Sequence, residues 1–204
     1  MNRLLIATTN KGKLAELRSL LKGGSHRLTD PTDIGLDLVV AEDGPDYDAI
    51  ALKKAASYAH ASGLWTVADD TGLEVDALSG APGLRTARLS HDDASRRARL
   101  LELLANHHRP WTARFRCSVA LVGPRGESAI GRGTCEGEII PVERGLEGFG
   151  YDPIFLVGGT GRTLAELPLA EKNRISHRAR AVQDLLARVA RGALPDVPFF
   201  QEST

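Results

Sequence analysis

Four stretches of the chain combine residue types and spacings that can do chemistry. The first is VADDTGLEVDAL, Val67 to Leu78, where Asp69 and Asp70 are adjacent and follow an apolar run that reads as a buried strand. Ligands of α/β sheets bind beyond the carboxyl ends of strands. Two carboxylates placed there repel each other, and a hard divalent cation such as Mg²⁺ is the simplest offset. Glu42 and Asp43, which also follow an apolar run, offer a further carboxylate. Asp-Asp-Thr-Gly is equally good turn chemistry, and as a turn it needs no metal.

The second stretch, Thr8-Thr9-Asn10-Lys11-Gly12-Lys13, joins a strand to a helix. Such a junction presents backbone N–H groups and the positive end of a helix dipole to an anion. The spacing of a Walker A loop is absent, and an Asn cap with surface lysines accounts for the same residues. The third is Gly148-Phe149-Gly150-Tyr151-Asp152-Pro153. Its glycines permit close approach, and Phe149 or Tyr151 suits a planar base. A rigid loop with both rings tucked into the core is the other reading. The fourth, EKNRISHRARA from Glu171 to Ala181, sets the donors Lys172, His177 and Arg178 early in a helix, with Ser176 four residues after Lys172 on one face. A solvated helix face carries such charges as well. Together, an anion-binding turn, a carboxylate pair, an aromatic–glycine loop and a donor-rich helix suit a nucleoside triphosphate with Mg²⁺.

The elements that must position these residues follow from periodicity. Arg3–Thr9 reads as a buried strand and Lys13–Leu21 as a helix, with Leu14, Leu17, Leu20 and Leu21 at helical spacing and Gly23-Gly24 as its stop. Leu36–Val40 reads as a second strand, Asp48–Gly63 as an alanine-rich helix and Trp65–Asp69 as a third strand. Gly80–Arg88 is turn chemistry. Asp92–His107 is a helix with acids in its first turn and Leu100, Leu101, Leu103 and Leu104 for its buried face. Ala113–Gly123 and Ser128–Ile140 read as long antiparallel hairpin strands. Gly148–Val157 is a loop entering a strand, and Leu169–Gly192 reads as one last helix with Ile175, Val182, Leu185, Leu186 and Val189 as its core stripe. The tail from Ala193, with Pro195 and Pro198, is expected to be extended. Alternating strands and helices, then a hairpin, then a helix give an α/β fold with a mixed sheet and two lobes.

A chain of 204 residues has room for one large domain or two lobes sharing a core. Twenty-six Lys and Arg balance 26 Asp and Glu, which argues against a polyanion held by bulk charge, such as duplex DNA. No leader peptide is visible and no run approaches the roughly 20 apolar residues of a membrane span, so a cytoplasmic protein is expected. If Pro124–Glu127 is a hairpin turn, Cys117 and Cys135 fall on facing strands, where a disulfide is conceivable. Two buried thiols are the favoured reading for a cytosolic chain.

TTNKGK, DDTGLEVDALSGAPG, GFGYDPIF and EKNRISHRARA, in this order over Thr8 to Ala181, closely resemble the motifs of the non-canonical purine nucleoside triphosphate pyrophosphatases, also called inosine triphosphatases or XTP/dITP diphosphatases. The resemblance implies an enzyme that hydrolyses ITP, dITP and XTP to the monophosphate and pyrophosphate. It also implies Mg²⁺, a homodimer, and a single domain over residues 1–204 built on an elongated mixed sheet flanked by helices, with an active-site cleft between two lobes. Carried over residue by residue, Thr8, Thr9, Asn10, Lys11, Gly12 and Lys13 bind the triphosphate. Asp70 is the catalytic carboxylate and a metal ligand, with Glu42 a second metal ligand, or Asp43 in its place by a shift of register. Asp69 supports them, and Thr71 keeps the hydroxyl of the serine common at its position. Phe149, Gly150, Tyr151 and Asp152 form part of the base pocket, and Lys172, His177 and Arg178 contact the substrate. The stretch GPDYDAIALKKA departs from the usual aromatic, Glu-Asn-Ala pattern.

That resemblance implies a source of selectivity too. A donor from His177 or Arg178 aimed at the 6-oxo group of hypoxanthine or xanthine is left unpaired against the 6-amino group of adenine. The same parts also suit two other readings, a nucleotide sensor without turnover and a septum-inhibition-type pyrophosphatase of modified pyrimidines. The latter family opens with a Ser/Arg-rich turn in place of TTNKGK.

Overall fold

A computed structural model of the chain describes residues 2–23, 26–194 and 197. Gly24 and the expected extended tail around Pro195 and Pro198 lie outside them. The strands are β1 (Asn2–Ile6), β2 (His26–Thr29), β3 (Trp65–Val75), β4 (Pro82–Gly83), β5 (Trp111–Val122), β6 (Ser128–Ile139) and β7 (Phe155–Val157). The helices are α1 (Lys11–Leu20), α2 (Tyr47–Ser62), α3 (Asp93–Leu104), α4 (Leu169–Ile175) and α5 (His177–Arg188). The sheet runs β2-β1-β3-β5-β6-β7, with β4 beside β3. It is mixed: β1 is parallel to β2 and β3, while β4 and β7 are antiparallel to their neighbours. The expected α/β class with flanking helices is what forms.

Packing divides the chain into two units. One comprises Met1–Asp70, Cys117–Gly133 and Arg178–Thr204, the other Thr71–Arg116 and Thr134–His177. In the first, strand alternation sorts side chains to two faces. Leu4, Ile6, Val67, Val119 and Leu121 pack with Leu17 and Leu21, at the end of α1, and with Val182 and Leu185 of α5. Leu5, Ala7, Ala68, Ala120 and Val122 pack instead with Ala51, Ala55, Tyr58 and Ala59 of α2. A sheet covered on both faces needs apolar runs rather than strict alternation, which is why LLIA reads as continuous. In the second unit one sheet face packs Leu73, Val75, Phe115 and Ile139 against Leu100 and Leu104 of α3. The other is a charged ladder, with Arg114 bridging Asp76 at 2.8 Å and Glu136 at 3.4 Å, and Arg116 bridging Glu74 at 3.1 Å. Cys117 and Cys135 are buried free thiols.

Three expectations need correction. No strand forms over Leu36–Val40; Leu36, Leu38 and Val40 pack on the α2 cluster as irregular chain, and the strand beside β1 is the more polar His26–Thr29. The Asp-Asp-Thr-Gly segment is no turn, because β3 runs through it to Val75. The final helix is two: α4 ends at Ile175, Ser176 is extended at ψ 157, and α5 starts at His177. Ile175 therefore packs in the second unit's core, apart from Val182 and Leu185.

Gly131 shows why α5 can lie on β6. A methyl group at this position would stand 2.2 Å from the Ala181 carbonyl oxygen and 2.3 Å from the Leu185 nitrogen. Gly131→Ala is expected to destabilise the fold by about 2–3 kcal/mol through overpacking. The readout is a lower urea midpoint at unchanged slope. An unchanged midpoint would show that the helix is not seated on bare backbone there.

Candidate active site

The strand-to-helix turn of the first unit is built as its sequence dictates. Asn10 caps α1 by accepting the Lys13 N–H at 3.0 Å, and the Asn10 N–H donates to Thr8 Oγ1 at 3.2 Å. Lys11, Gly12 and Lys13 form the first helical turn, where N–H groups lack intrahelical acceptors. Thr9, Asn10 and Lys11 are exposed, whereas Thr8 is buried.

Adjacent residues of a strand point to opposite faces, and this separates Asp69 from Asp70. Asp69 is fully buried on the α1/α5 side. Its Oδ2 is 3.1 Å from Lys13 Nζ and accepts from Arg178 Nη2 at 3.0 Å and Nε at 3.2 Å. Burial alone would raise its pKa, but Lys13, Arg178 and Lys54 outweigh that and hold it far below the usual carboxylate range. Arg178 Nη1 donates to Glu16, buried on α1. Lys13, Asp69, Arg178 and Glu16 thus form a chain of alternating charge in which Asp69 is offset by the protein's own cations.

Asp70 is 7% exposed, and its carboxylate makes no hydrogen bond or ion pair among the described residues. Burial is the largest influence and pushes it up to about 6; Lys13 and Lys54 pull it down, while Asp69 and Glu42 add to the rise. Glu42 accepts from Lys54 Nζ at 2.8 Å, and the same ammonium donates to the Asp69 carbonyl at 3.1 Å. Burial opposes the charge on Lys54, but Asp69, Glu42 and Asp70 hold its pKa above the ordinary value. Asp43 is turned to Lys53 on the surface, so Glu42 is the acid whose charge reaches Asp70. No cluster of three metal-ligating side chains occurs among the described residues.

Sequence reasoning missed Lys54 and Glu16. The signal for both is a charge on an apolar helical stripe: Lys54 between Ile50, Ala51 and Tyr58, and Glu16 beside Leu17, one turn before Leu20.

In the second unit, Thr71 follows Asp70 in β3 and is half-buried. The glycine–aromatic loop presents one ring, not two. Tyr151 is 3% exposed, its hydroxyl donates to the Thr86 carbonyl at 3.0 Å, and burial pushes its pKa up to about 12. Phe149 is half-buried, with Lys172 Nζ 5.1 Å from its ring centroid. Lys172 and Asp152 form a buried ion pair, and Asp152 also accepts the Phe149 N–H at 2.8 Å. Lys172 and Ser176 do not share a helix face, because Ser176 lies in the break. His177 stacks on Phe115 at 4.5 Å. The three expected donors therefore have separate settings: Lys172 on Asp152, His177 on Phe115, and Arg178 on Asp69 and Glu16. Arg178 is enclosed, at 1% exposure, between the Asp69 and Glu16 carboxylates.

The chain is 45% identical over 186 residues to a dITP/XTP pyrophosphatase of Geobacter sulfurreducens, spanning 89% of this chain and 94% of that one. Its fold matches a HAM1 protein from Coxiella burnetii with a TM-score of 0.82 at 36% identity, covering 94% of this chain and all of the other. The Staphylococcus aureus Ham1 protein matches with a TM-score of 0.80 at 33% identity, covering 92% and 98%. The Ham1 family itself matches residues 4–188, and the chain belongs to that family.

Proposed function

We propose that the protein hydrolyses dITP, ITP and XTP to the monophosphate and pyrophosphate, as the name of its Geobacter relative suggests. One observation carries this reading above the others: Asp70 is a buried carboxyl that makes no hydrogen bond or ion pair among the described residues and feels the charge of Glu42. A structural carboxylate is held by protein cations, as Asp69 is by Lys13 and Arg178. A catalytic one is left open to what it must act upon.

The residues fit a hard cation. Asp70 and Glu42 are two oxygen donors, and Mg²⁺ commonly takes one or two carboxylates and fills its shell with water and substrate phosphate. When bound, Mg²⁺ supplies charge neutralisation on the phosphoryl oxygens. The chain's own part is then as follows. The Thr8–Lys13 turn binds the triphosphate through the N-terminus of α1, and Lys13 adds a cation to it. Asp70 orients the water that attacks the α-phosphorus, and the α–β bond breaks to release pyrophosphate. Phe149 stacks on the base. Arg178 is enclosed by carboxylates, so His177 is the donor that reads the 6-oxo group. No helix among the described residues is long and apolar enough to cross a membrane. A single-domain, cytoplasmic homodimer is part of the same reading, on the resemblance alone.

The test is a product assay with Mg²⁺ and dITP, XTP, dGTP, dATP and a modified pyrimidine triphosphate. Pyrophosphate and monophosphate are expected from dITP and XTP, on the order of a hundredfold faster than from dATP or more. Nucleotide binding without product would establish the sensor, and faster turnover of the pyrimidine the septum-inhibition type. Orthophosphate release would exclude attack at the α-phosphorus.

A further inference from the structure

Helix α3 lies outside all four motifs, yet its first turns hold the aromatic loop by the backbone. The Gly150 N–H donates to Asp93 Oδ2 at 2.8 Å, and the Gly150 carbonyl accepts from Arg97 Nη1 at 2.9 Å. Both polar groups of one peptide residue are thus gripped by side chains one helical turn apart. Each gripping side chain is itself held. Arg96 Nη1 donates to the other oxygen of Asp93 at 2.7 Å, and Glu143 takes Arg97 Nε and Nη2 at 2.7 and 3.1 Å. Gly150 has φ +62°, a conformation few side chains share, and a Cβ there would meet nothing within 4 Å. The grip therefore acts on the backbone of a residue without a side chain of its own to anchor it. Phe149, the one half-exposed ring of the loop, directly precedes it.

We propose that Asp93 and Arg97 are positioning residues for base recognition: they fix the Gly150 peptide and thereby the plane in which Phe149 meets the purine. This rests on the reading of Phe149 as the base-stacking residue. A ring whose backbone swings loses stacking without losing the phosphate contacts, and misplacement of about 1 Å costs up to a hundredfold. Removing the grip should therefore raise KM for dITP more than it lowers kcat.

The experiment compares Arg97→Met, Arg97→Lys, Phe149→Ala and the double variant Arg97→Met/Phe149→Ala in the full chain. Each is measured with dITP and dGTP, for inhibition by tripolyphosphate, and for thermal midpoint. Arg97→Met is expected to raise KM for dITP about tenfold and to narrow the dITP:dGTP preference. Inhibition by tripolyphosphate, which has no base, should be unchanged. Arg97→Lys, which keeps the charge and one donor for the Gly150 carbonyl, should recover part of the loss. The double variant should be no worse than Phe149→Ala, because the grip has no other ring to place. If Phe149→Ala raises KM and Arg97→Met does not, the positioning role is overturned while the base pocket stands. Additive losses, or loss of tripolyphosphate inhibition together with a lowered midpoint, would also overturn it, as would failure of Arg97→Lys to recover anything. If Phe149→Ala itself changes nothing, the stacking reading fails first.

Discussion

Asp70→Asn is expected to lower kcat by about 10³-fold or more while making the metal-free protein more stable at neutral pH. The two effects have one source. In the folded chain the carboxyl is buried near Asp69 and within reach of the Glu42 charge, with no hydrogen bond or ion pair among the described residues, and its pKa rises from 3.8 to about 6. For an acid, a raised folded value means that ionisation opposes folding. The cost is absent below pH 3.8, grows as pH rises to about 6, and is complete above that. The gap corresponds to ~3 kcal/mol at pH 8, and at 7% exposure solvent screening removes little of it. An amide of the same shape carries no such cost. Calorimetry in EDTA should show the variant melting several degrees above wild type at pH 8, with the gap closing near pH 4. Saturating Mg²⁺ should raise the wild type and leave the variant nearly unmoved, since a ligand stabilises only the state that binds it. Near wild-type turnover of dITP by the variant, or a lower midpoint in EDTA, would each remove Asp70 from its assigned role.

Asp70 also shows which parts of the site were legible in the sequence. That an acid pair mattered was readable from type alone, because two adjacent carboxylates beside an apolar run demand compensation. How they are compensated was not, because it depends on which face each side chain takes. Read as a turn or a strand end, Asp69 and Asp70 share one cation. In mid-strand they diverge, and Asp69 draws Lys13, Arg178 and Lys54 from three helices far apart in sequence. The helical stripes of α1 and α2 were legible because burial follows a 3.6-residue period. The break at Ser176 was not, since neither proline nor glycine marks it and the two helices separate because they pack in different cores. Leu36–Val40 carries the alternating burial of a strand, and the sequence pattern records that alternation. What it lacks is a neighbour: Tyr58 Oη, from α2, donates to the Leu38 carbonyl at 2.7 Å. His26–Thr29 has that neighbour in β1 despite its polar composition. Pairing is a tertiary fact that local pattern does not encode.

The largest loss of stability is expected from Arg178→Met, at about 3–5 kcal/mol. Arg178 is 1% exposed and serves two buried carboxylates at once, Asp69 and Glu16. Its removal keeps a stem of similar volume and leaves both acids short of a cation. Lys13 and Lys54 remain near Asp69, so the heavier penalty falls on Glu16. Adding Glu16→Gln should therefore restore part of the loss, a coupling of about 0.5–3 kcal/mol in a double-mutant cycle. The two proteins should differ in pH dependence. In wild type, the depressed Asp69 value contributes stability that is present above pH 3.8 and lost as pH falls towards its folded value. In Arg178→Met, Asp69 keeps Lys13 and Lys54 while Glu16 loses its cation, so a buried Glu16 charge costs stability near neutrality that protonation in acid relieves. The gap between the proteins should thus be widest near neutrality and shrink in acid. Arg178→Lys separates positioning from base reading. It keeps one charge but loses the fork that spans both acids, so kcat should fall through a displaced Asp69 and Lys13. The dITP:dATP ratio should stay as it was. A narrowed ratio in that variant, with kcat intact, would return Arg178 to the base pocket and leave Asp69 without its principal anchor in function.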